Sequence, residues 1–230
     1  MPIDEPAAPY ASTLPVQRAK ERQREHRRLL DLQPRRNAAN AVRARGFAPQ
    51  RTVVLVGLMG AGKTKIGRRL AARLNLPFFD SDAEIETAAG ESIEEIFRNR
   101  GEAAFRDGER RVISRLLTQP LHVLATGGGA FMDASTRAAV ARRCVSVWLR
   151  ADLDVLLARV SRRGNRPLLE QSDPRSVLAA LIERRHPVYA EADLVIDSGE
   201  GPVEQTTSRV IAALAACPRA MLPPDPQEAG

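Results

Sequence analysis

One short stretch constrains this chain more than any other: GLMGAGKT, Gly57 to Thr64. It follows the apolar run Val53 to Val56 and precedes a segment with helical spacing from Thr64 to Leu74. The stretch matches G-x-x-x-x-G-K-[ST] at every fixed position, and it does so in the strand–loop–helix context that gives the pattern its meaning. Glycines at 57, 60 and 62 let the backbone turn until successive N–H groups converge on an anion. The helix that follows adds the positive end of its dipole. A loop of this kind holds phosphate, with Gly60, Ala61, Gly62, Lys63, Thr64 and Lys65 as the nucleotide-binding set. Lys63 would reach the β and γ phosphates, and the Thr64 hydroxyl would ligate Mg²⁺. A glycine-rich turn that binds nothing is the bland alternative, and the full match in its proper context weighs against it.

The segment also fixes the fold class. Short apolar runs at 53–56, 77–79, 122–125, 144–149 and 194–196 read as strands, since each is too short for a helix and most are rich in β-branched residues. Helical spacing fills the intervals at 64–74, 82–89, 92–98, 102–118, 133–142, 152–163, 174–185 and 202–215. Alternating strands and helices predict an α/β fold, a parallel sheet of about five strands covered by helices on both faces. Ligands then belong at the carboxyl ends of the strands.

Residues 1–50 stand apart, because they are polar and basic with few core-formers and cannot offset their ordering entropy by burial. They are expected to be disordered or partly helical, with the domain proper at 51–216 and a proline-rich disordered tail at 217–230. The same division explains the net charge of +7. Residues 1–51 hold eleven of the 35 Lys/Arg and five of the 28 Asp/Glu, which leaves 24 against 23 for the remainder. A nearly neutral domain argues against nucleic acid as its partner. No apolar run approaches the roughly 18 residues of a membrane span, and the N-terminus has the features of neither a secretory signal nor a transit peptide. A cytoplasmic enzyme that works as a monomer is the expectation. Cys144 and Cys217 are the only cysteines and lack a ligand spacing, as do His26, His122 and His186, so neither a disulfide framework nor a structural metal is expected.

The phosphate loop does not name the acceptor, because GTPases, ATPases and small-molecule kinases share it. No N-K-x-D guanine-reading motif is present. In FFDSDAEIE, alternation points Asp80 and Asp82 to the same side at the end of the second strand. One carboxylate could hold Mg²⁺ through water and the other could orient or deprotonate an acceptor hydroxyl. The simpler role is that Ser81 or Asp82 caps the next helix. Arg106 and Glu109 lie at i,i+3 on a helix, close enough to pair. Gly127, Gly128 and Gly129 follow the third strand and permit close backbone approach to a small ligand. Arg166, Arg184 and Arg185 add positive charge near two helix boundaries. Arginines and a bare glycine loop on one sheet edge point to an anionic, hydroxylated small substrate, since Arg grips carboxylate in bidentate fashion.

With these residues in hand, the chain from about 50 to 215 resembles shikimate kinase. The matches are GLMGAGKT, the Asp-Ser-Asp of FFDSDAEIE, GEAAFR, GGGA, RPLL and ERRHPVY, in the family's order. The resemblance implies a P-loop, nucleoside-monophosphate-kinase-like fold of three layers with strand order 2-3-1-4-5. It implies transfer of the ATP γ-phosphate to the 3-hydroxyl of shikimate, with Mg²⁺ as cofactor. It gives Lys63 the phosphate, Thr64 the Mg²⁺, and Asp80 the Mg²⁺ through water. Asp82 becomes the contact to shikimate hydroxyls and the base candidate. Arg106 and Arg185 match carboxylate-binding arginines, and Gly127 to Gly129 match the loop against the ring. Arg166 matches a lid arginine that reaches the transferring phosphate, within a lid around Arg162 to Leu169, and Arg159 best fits the adenine contact, with Arg162 and Arg163 as the alternatives. Gly108, inside the predicted helix, is expected to loosen the support of Arg106 at a cost of about 1 kcal/mol. Two rivals are a gluconate-type kinase of the same fold and a kinase-like ligand sensor.

Overall fold

In the computed structural model, residues 47–161 and 173–224 are described. Five strands run in parallel: β1 (Thr52–Val56), β2 (Phe78–Asp80), β3 (Val123–Ala125), β4 (Cys144–Arg150) and β5 (Leu194–Asp197). Their order across the sheet is β2-β3-β1-β4-β5. This is the P-loop, nucleoside-monophosphate-kinase-like arrangement. Central β1 pairs Val54 with Leu124 of β3 on one side and with Ser146 of β4 on the other. All five of its residues are buried, as a strand covered on both faces requires.

The helices are α1 (Lys63–Leu74), α2 (Ser81–Ala89), α3 (Ile93–Leu117), α4 (Ala134–Arg143), α5 (Leu153–Ser161), α6 (Pro174–Tyr189), α7 (Val203–Ala216) and a single turn, α8 (Pro218–Met221). A 3₁₀ turn spans Ala130–Met132. Helix α1 lies close on the sheet because Gly67 has no side chain: a Cβ there would sit 2.5 Å from the Phe78 ring and 3.1 Å from Leu55. Its buried stripe is Ile66, Gly67, Leu70 and Ala71.

Local chemistry sets the helix ends. Ser92 opens α3 with a capping box, its hydroxyl accepting from Glu95 N at 3.2 Å while Glu95 Oε2 accepts from Ser92 N at 2.8 Å. Asp133 caps α4 by accepting from Thr136 N at 2.8 Å. Asp173 caps α6 through Ser176 N at 3.0 Å, ahead of Pro174 at the first helical position.

Three boundaries differ from expectation. The predicted helices 92–98 and 102–118 run together as α3, with the break concentrated at Gly101, whose φ of 79° and ψ of 173° are non-helical. Helix α6 continues through Pro187 to Tyr189, four residues beyond its predicted end at 185. The fully buried Tyr189 holds that last turn in the core, and Ala190 N closes it on His186 O at 2.9 Å. Finally, the segment from 217 is ordered over its first residues. Pro218–Met221 form α8, Ala220 is fully buried, and Arg219 Nε donates to Cys144 O at 3.0 Å. Gln50 N donates to Ala220 O at 2.8 Å, so both ends of the domain meet at the amino ends of the strands, away from the phosphate loop.

Cys144 is fully buried at the start of β4, and burial pushes its thiol up to about 12, which leaves it inert as a nucleophile. Among the described residues, no helix is long and apolar enough to cross a membrane.

Candidate active site

The loop after β1 takes the shape its glycines allow, with φ of 135°, 82° and 93° at Gly57, Gly60 and Gly62. These are values an L side chain rarely adopts. Gly62 is also the N-cap of α1, so no side chain occupies the positive end of that helix. Lys63 folds back across the loop and donates from Nζ to Gly57 O at 2.7 Å and Leu58 O at 2.9 Å. Lys65 is exposed one turn into the helix.

Asp80 ends β2 and serves two purposes. Its Oδ2 accepts from Thr64 Oγ1 at 2.8 Å, bringing the loop hydroxyl and the strand-end carboxylate together. Its Oδ1 accepts from Asp82 N at 3.1 Å and caps α2. The cap is therefore Asp80, not Ser81 or Asp82 as the simpler reading of that motif had it. Ser81 is fully buried, and its hydroxyl instead accepts from Gly127 N at 2.8 Å, pinning the glycine loop to α2. That leaves the Asp82 carboxylate facing Gly127.

The hard oxygens of Thr64 and Asp80 suit Mg²⁺, which binds through one or two protein oxygens plus substrate phosphates. No group of three or more His, Cys, Asp or Glu that could hold a metal by itself occurs among the described residues.

The glycine loop brings the remaining side chains into one cluster. A Cβ on Gly127 would sit 2.7 Å from Asp82 Oδ1 and 2.8 Å from Glu109 Oε1. A Cβ on Gly129 would strike the Arg106 guanidinium, with Cζ at 2.8 Å. These two glycines are bare because the site's own side chains occupy the space. Gly128 differs: a Cβ there would meet nothing nearer than 3.5 Å, and its function is carried by its carbonyl. That oxygen accepts from Arg185 Nη1 at 3.0 Å and from the Tyr189 hydroxyl.

Arg106 is held by its own helix, donating to Glu109 Oε2 at 2.7 Å and to Glu102 Oε1 at 3.2 Å. Burial works against its charge, yet the two carboxylates raise its pKa further. Glu109 is 3% exposed, and burial raises its carboxyl pKa against the pull of Arg106 and Arg185. Its Oε1 has no hydrogen-bond partner among the described residues, although it faces the same space as Asp82. The helix runs unbroken through Gly108, where a Cβ would meet nothing within 4 Å, so the expected loosening of Arg106 does not occur.

Arg185 and Tyr189 are aimed by aromatic packing. The Trp148 ring on β4 lies 4.9 Å from His186 and 5.9 Å from Tyr189, which seats the last turn of α6 against the sheet. Arg159, near the end of α5, donates from Nη1 to Gly60 O and to Ser198 O and Oγ, each at 3.2 Å, and from Nη2 to Gly199 O. Arg162, Arg163, Arg166 and the lid that would contain them lie outside the described residues.

Sequence reading gave Ser81 only a capping role and passed over Tyr189 and Ser198. Ser81 and Tyr189 lie inside motifs already singled out, but their hydrogen bonds cross 46 and 61 residues of sequence and are invisible in local spacing.

Known proteins resemble this chain in sequence and in fold. The shikimate kinase family model matches residues 59–215. Shikimate kinase of Paramagnetospirillum magneticum is 58% identical over 164 residues, covering 71% of this chain and 84% of that protein. Shikimate kinase of Caulobacter vibrioides is 57% identical over 170 residues, covering 73% and 85%. Among solved structures, shikimate kinase from Acinetobacter baumannii in complex with shikimate superposes with a TM-score of 0.70 at 36% identity, covering 78% of this chain and 97% of that one. A gluconokinase from Sinorhizobium meliloti, at 18% identity and a TM-score of 0.52, shares the fold alone.

Proposed function

Because the chain belongs to the shikimate kinase family, we propose that it transfers the γ-phosphate of ATP to the 3-hydroxyl of shikimate, giving shikimate 3-phosphate and ADP. The observation that carries this reading is the meeting of two half-sites at the carboxyl ends of the strands. One half is the phosphate loop with the Thr64–Asp80 pair at 2.8 Å. The other is the cluster of Asp82, Arg106, Glu109, Gly127 to Gly129 and Arg185.

Each residue then has a task that its position supports. The N–H groups of Gly60, Gly62 and Lys63 face the phosphates, Ala61 N being bonded to Leu58 O within the loop, and Lys65 lies at the rim. Lys63 exchanges its two carbonyl acceptors for phosphate oxygens as charge builds on the transferring group. Thr64 and Asp80 would hold Mg²⁺ with the nucleotide, and the ion would supply charge neutralisation at the phosphates. Asp82 orients the acceptor hydroxyl and accepts its proton. Arg106 and Arg185 grip the substrate carboxylate from two sides of the glycine loop. Arg159 stands at the nucleotide side. Arg166, in the segment outside the described residues, is assigned to the lid that excludes water and meets the transferring phosphate.

The catalytic unit in this reading is 51–216 with the α8 turn packed against β4, acting as a cytoplasmic monomer, with the residues before it as an appendage. The test is ADP release in a coupled assay with Mg·ATP and a panel of hydroxy acids that includes shikimate and gluconate. Turnover with shikimate alone is expected. Asp82→Asn should abolish that turnover, by roughly a thousandfold for loss of a positioned base, while ADP binding measured by calorimetry stays within twofold. Near-normal turnover in this variant would overturn the assignment of the base.

A further inference from the structure

Directly after β5, Ser198 is 1% exposed, yet it touches three different parts of the molecule. Its backbone N donates to Arg150 O, at the end of β4, at 2.6 Å. Its hydroxyl donates to Ala61 O in the phosphate loop at 2.8 Å, across 137 residues of sequence. The same oxygen accepts from Arg159 Nη1, which also bonds Gly60 O. A buried hydroxyl thus spends its one proton on the phosphate loop and its lone pair on the arginine that grips the neighbouring carbonyl.

The consequence follows from peptide geometry. In a planar trans peptide the C=O and the following N–H point in opposite directions. Holding Ala61 O toward Ser198 therefore turns the N–H of Gly62 away from Ser198. Gly62 sits at φ 93°, where nothing in its own side chain restrains that peptide plane. The preceding plane is fixed from both ends: Gly60 O accepts from Arg159, and Ala61 N donates to Leu58 O at 3.2 Å.

We propose that Ser198 is a positioning residue for nucleotide phosphate: its hydroxyl, together with Arg159, locks the Gly60–Gly62 peptides so that the Gly62 N–H faces the anion before the nucleotide arrives. It touches no substrate in this role. The proposal rests on the phosphate loop holding a nucleotide, but not on shikimate being the acceptor.

The experiment compares Ser198→Ala and Ser198→Thr with the full-length wild type. MgADP binding is titrated calorimetrically, with affinity taken per binding-competent site so that any loss of folded protein appears in the stoichiometry. Ser198→Ala should weaken MgADP about fivefold to tenfold, the size of one lost hydrogen bond. It should raise the KM for ATP to the same extent and leave the KM for shikimate within twofold. Ser198→Thr, which keeps the hydroxyl, should bind MgADP within twofold of wild type. The proposal is overturned if Ser198→Ala binds MgADP within twofold of wild type, if both KM values rise together, or if threonine binds as weakly as alanine. A wild type that binds MgADP but gives no shikimate-dependent turnover would sink the acceptor assignment, while the Ser198 result would still stand or fall on the ADP titration.

Discussion

At the scale of single residues, the glycine loop separates three positions that look equivalent in sequence. Gly127 and Gly129 exclude a side chain because Asp82, Glu109 and Arg106 already occupy that space, whereas Gly128 has room for a methyl group and works through its carbonyl. Gly129 has helical dihedrals, φ −96° and ψ −19°, so alanine there brings no backbone strain and its whole effect falls on Arg106. Gly129→Ala should raise the KM for shikimate tenfold or more by displacing that guanidinium. Gly128→Ala should raise it less than threefold. Measuring both variants with ATP saturating decides the point, and equal effects would show that the loop as a whole, not the Arg106 contact, is what glycine protects. The GGG motif was legible in the sequence, but which of the three accommodates its neighbours was not. That distinction depends on where Arg106 and Asp82 arrive from two other helices.

Helix α3 shows the same contrast between two of its own glycines. Gly101 adopts a φ, ψ combination, 79° and 173°, that is essentially reserved for glycine, although a Cβ there would touch nothing. Gly108 lies within the regular helix and also has open space for a Cβ. Gly101→Ala should therefore destabilise the domain by about 1–3 kcal/mol, and Gly108→Ala should stabilise it by about 0.4–1 kcal/mol. Thermal melts of the two variants against wild type check the opposite signs. The break near Gly101 was legible because the helical spacing lapses between 98 and 102. The elements as a whole were legible for the same kind of reason: five apolar runs, each matching a strand, separated by helix-period segments. Where the reading fell short, tertiary contacts had overridden local rules. Pro187 should end a helix, but the buried Tyr189 and its stack on Trp148 carry α6 past it. Asp80 reads as a strand residue, yet its carboxylate caps α2 while bonding Thr64. Ser198 gave no signal at all, because its partner lies 137 residues away.

For the whole molecule, the two described histidines set how stability responds to acid. His122, fully buried at the foot of β3, packs edge-on against Phe79 with centroids 5.0 Å apart and its Nδ1 2.8 Å from Pro120 O. Burial lowers its pKa, outweighing the Pro120 carbonyl that favours the charged ring. His186 is lowered too, by burial and then by Arg150, with Asp152 opposing. A histidine whose folded pKa lies below its unfolded value of about 6.5 binds more protons when unfolded. The stability it contributes is therefore complete above about pH 6.5 and is lost as pH falls toward and through the folded pKa. One such proton gives a slope of at most about 1.4 kcal/mol per pH unit, and His122 should supply most of it because His186 is partly screened by solvent. The carboxylates whose pKa values are lowered on folding, such as Asp133 with its Ser135 bond and Asp197 with Arg150, act in a window below about pH 4, while Glu109, raised by burial, takes up its proton more readily in the folded state and opposes the histidines as pH falls. Urea midpoints of the wild type should be nearly flat from pH 8 to 7 and should fall between pH 6.5 and 5. His122→Asn, which does not titrate, should start from a lower midpoint, because it gives up the edge contact with Phe79, but should fall less steeply over that interval. An unchanged slope in the His122→Asn, His186→Asn double variant would show that the acid sensitivity of the domain comes from its carboxylates rather than from these two rings.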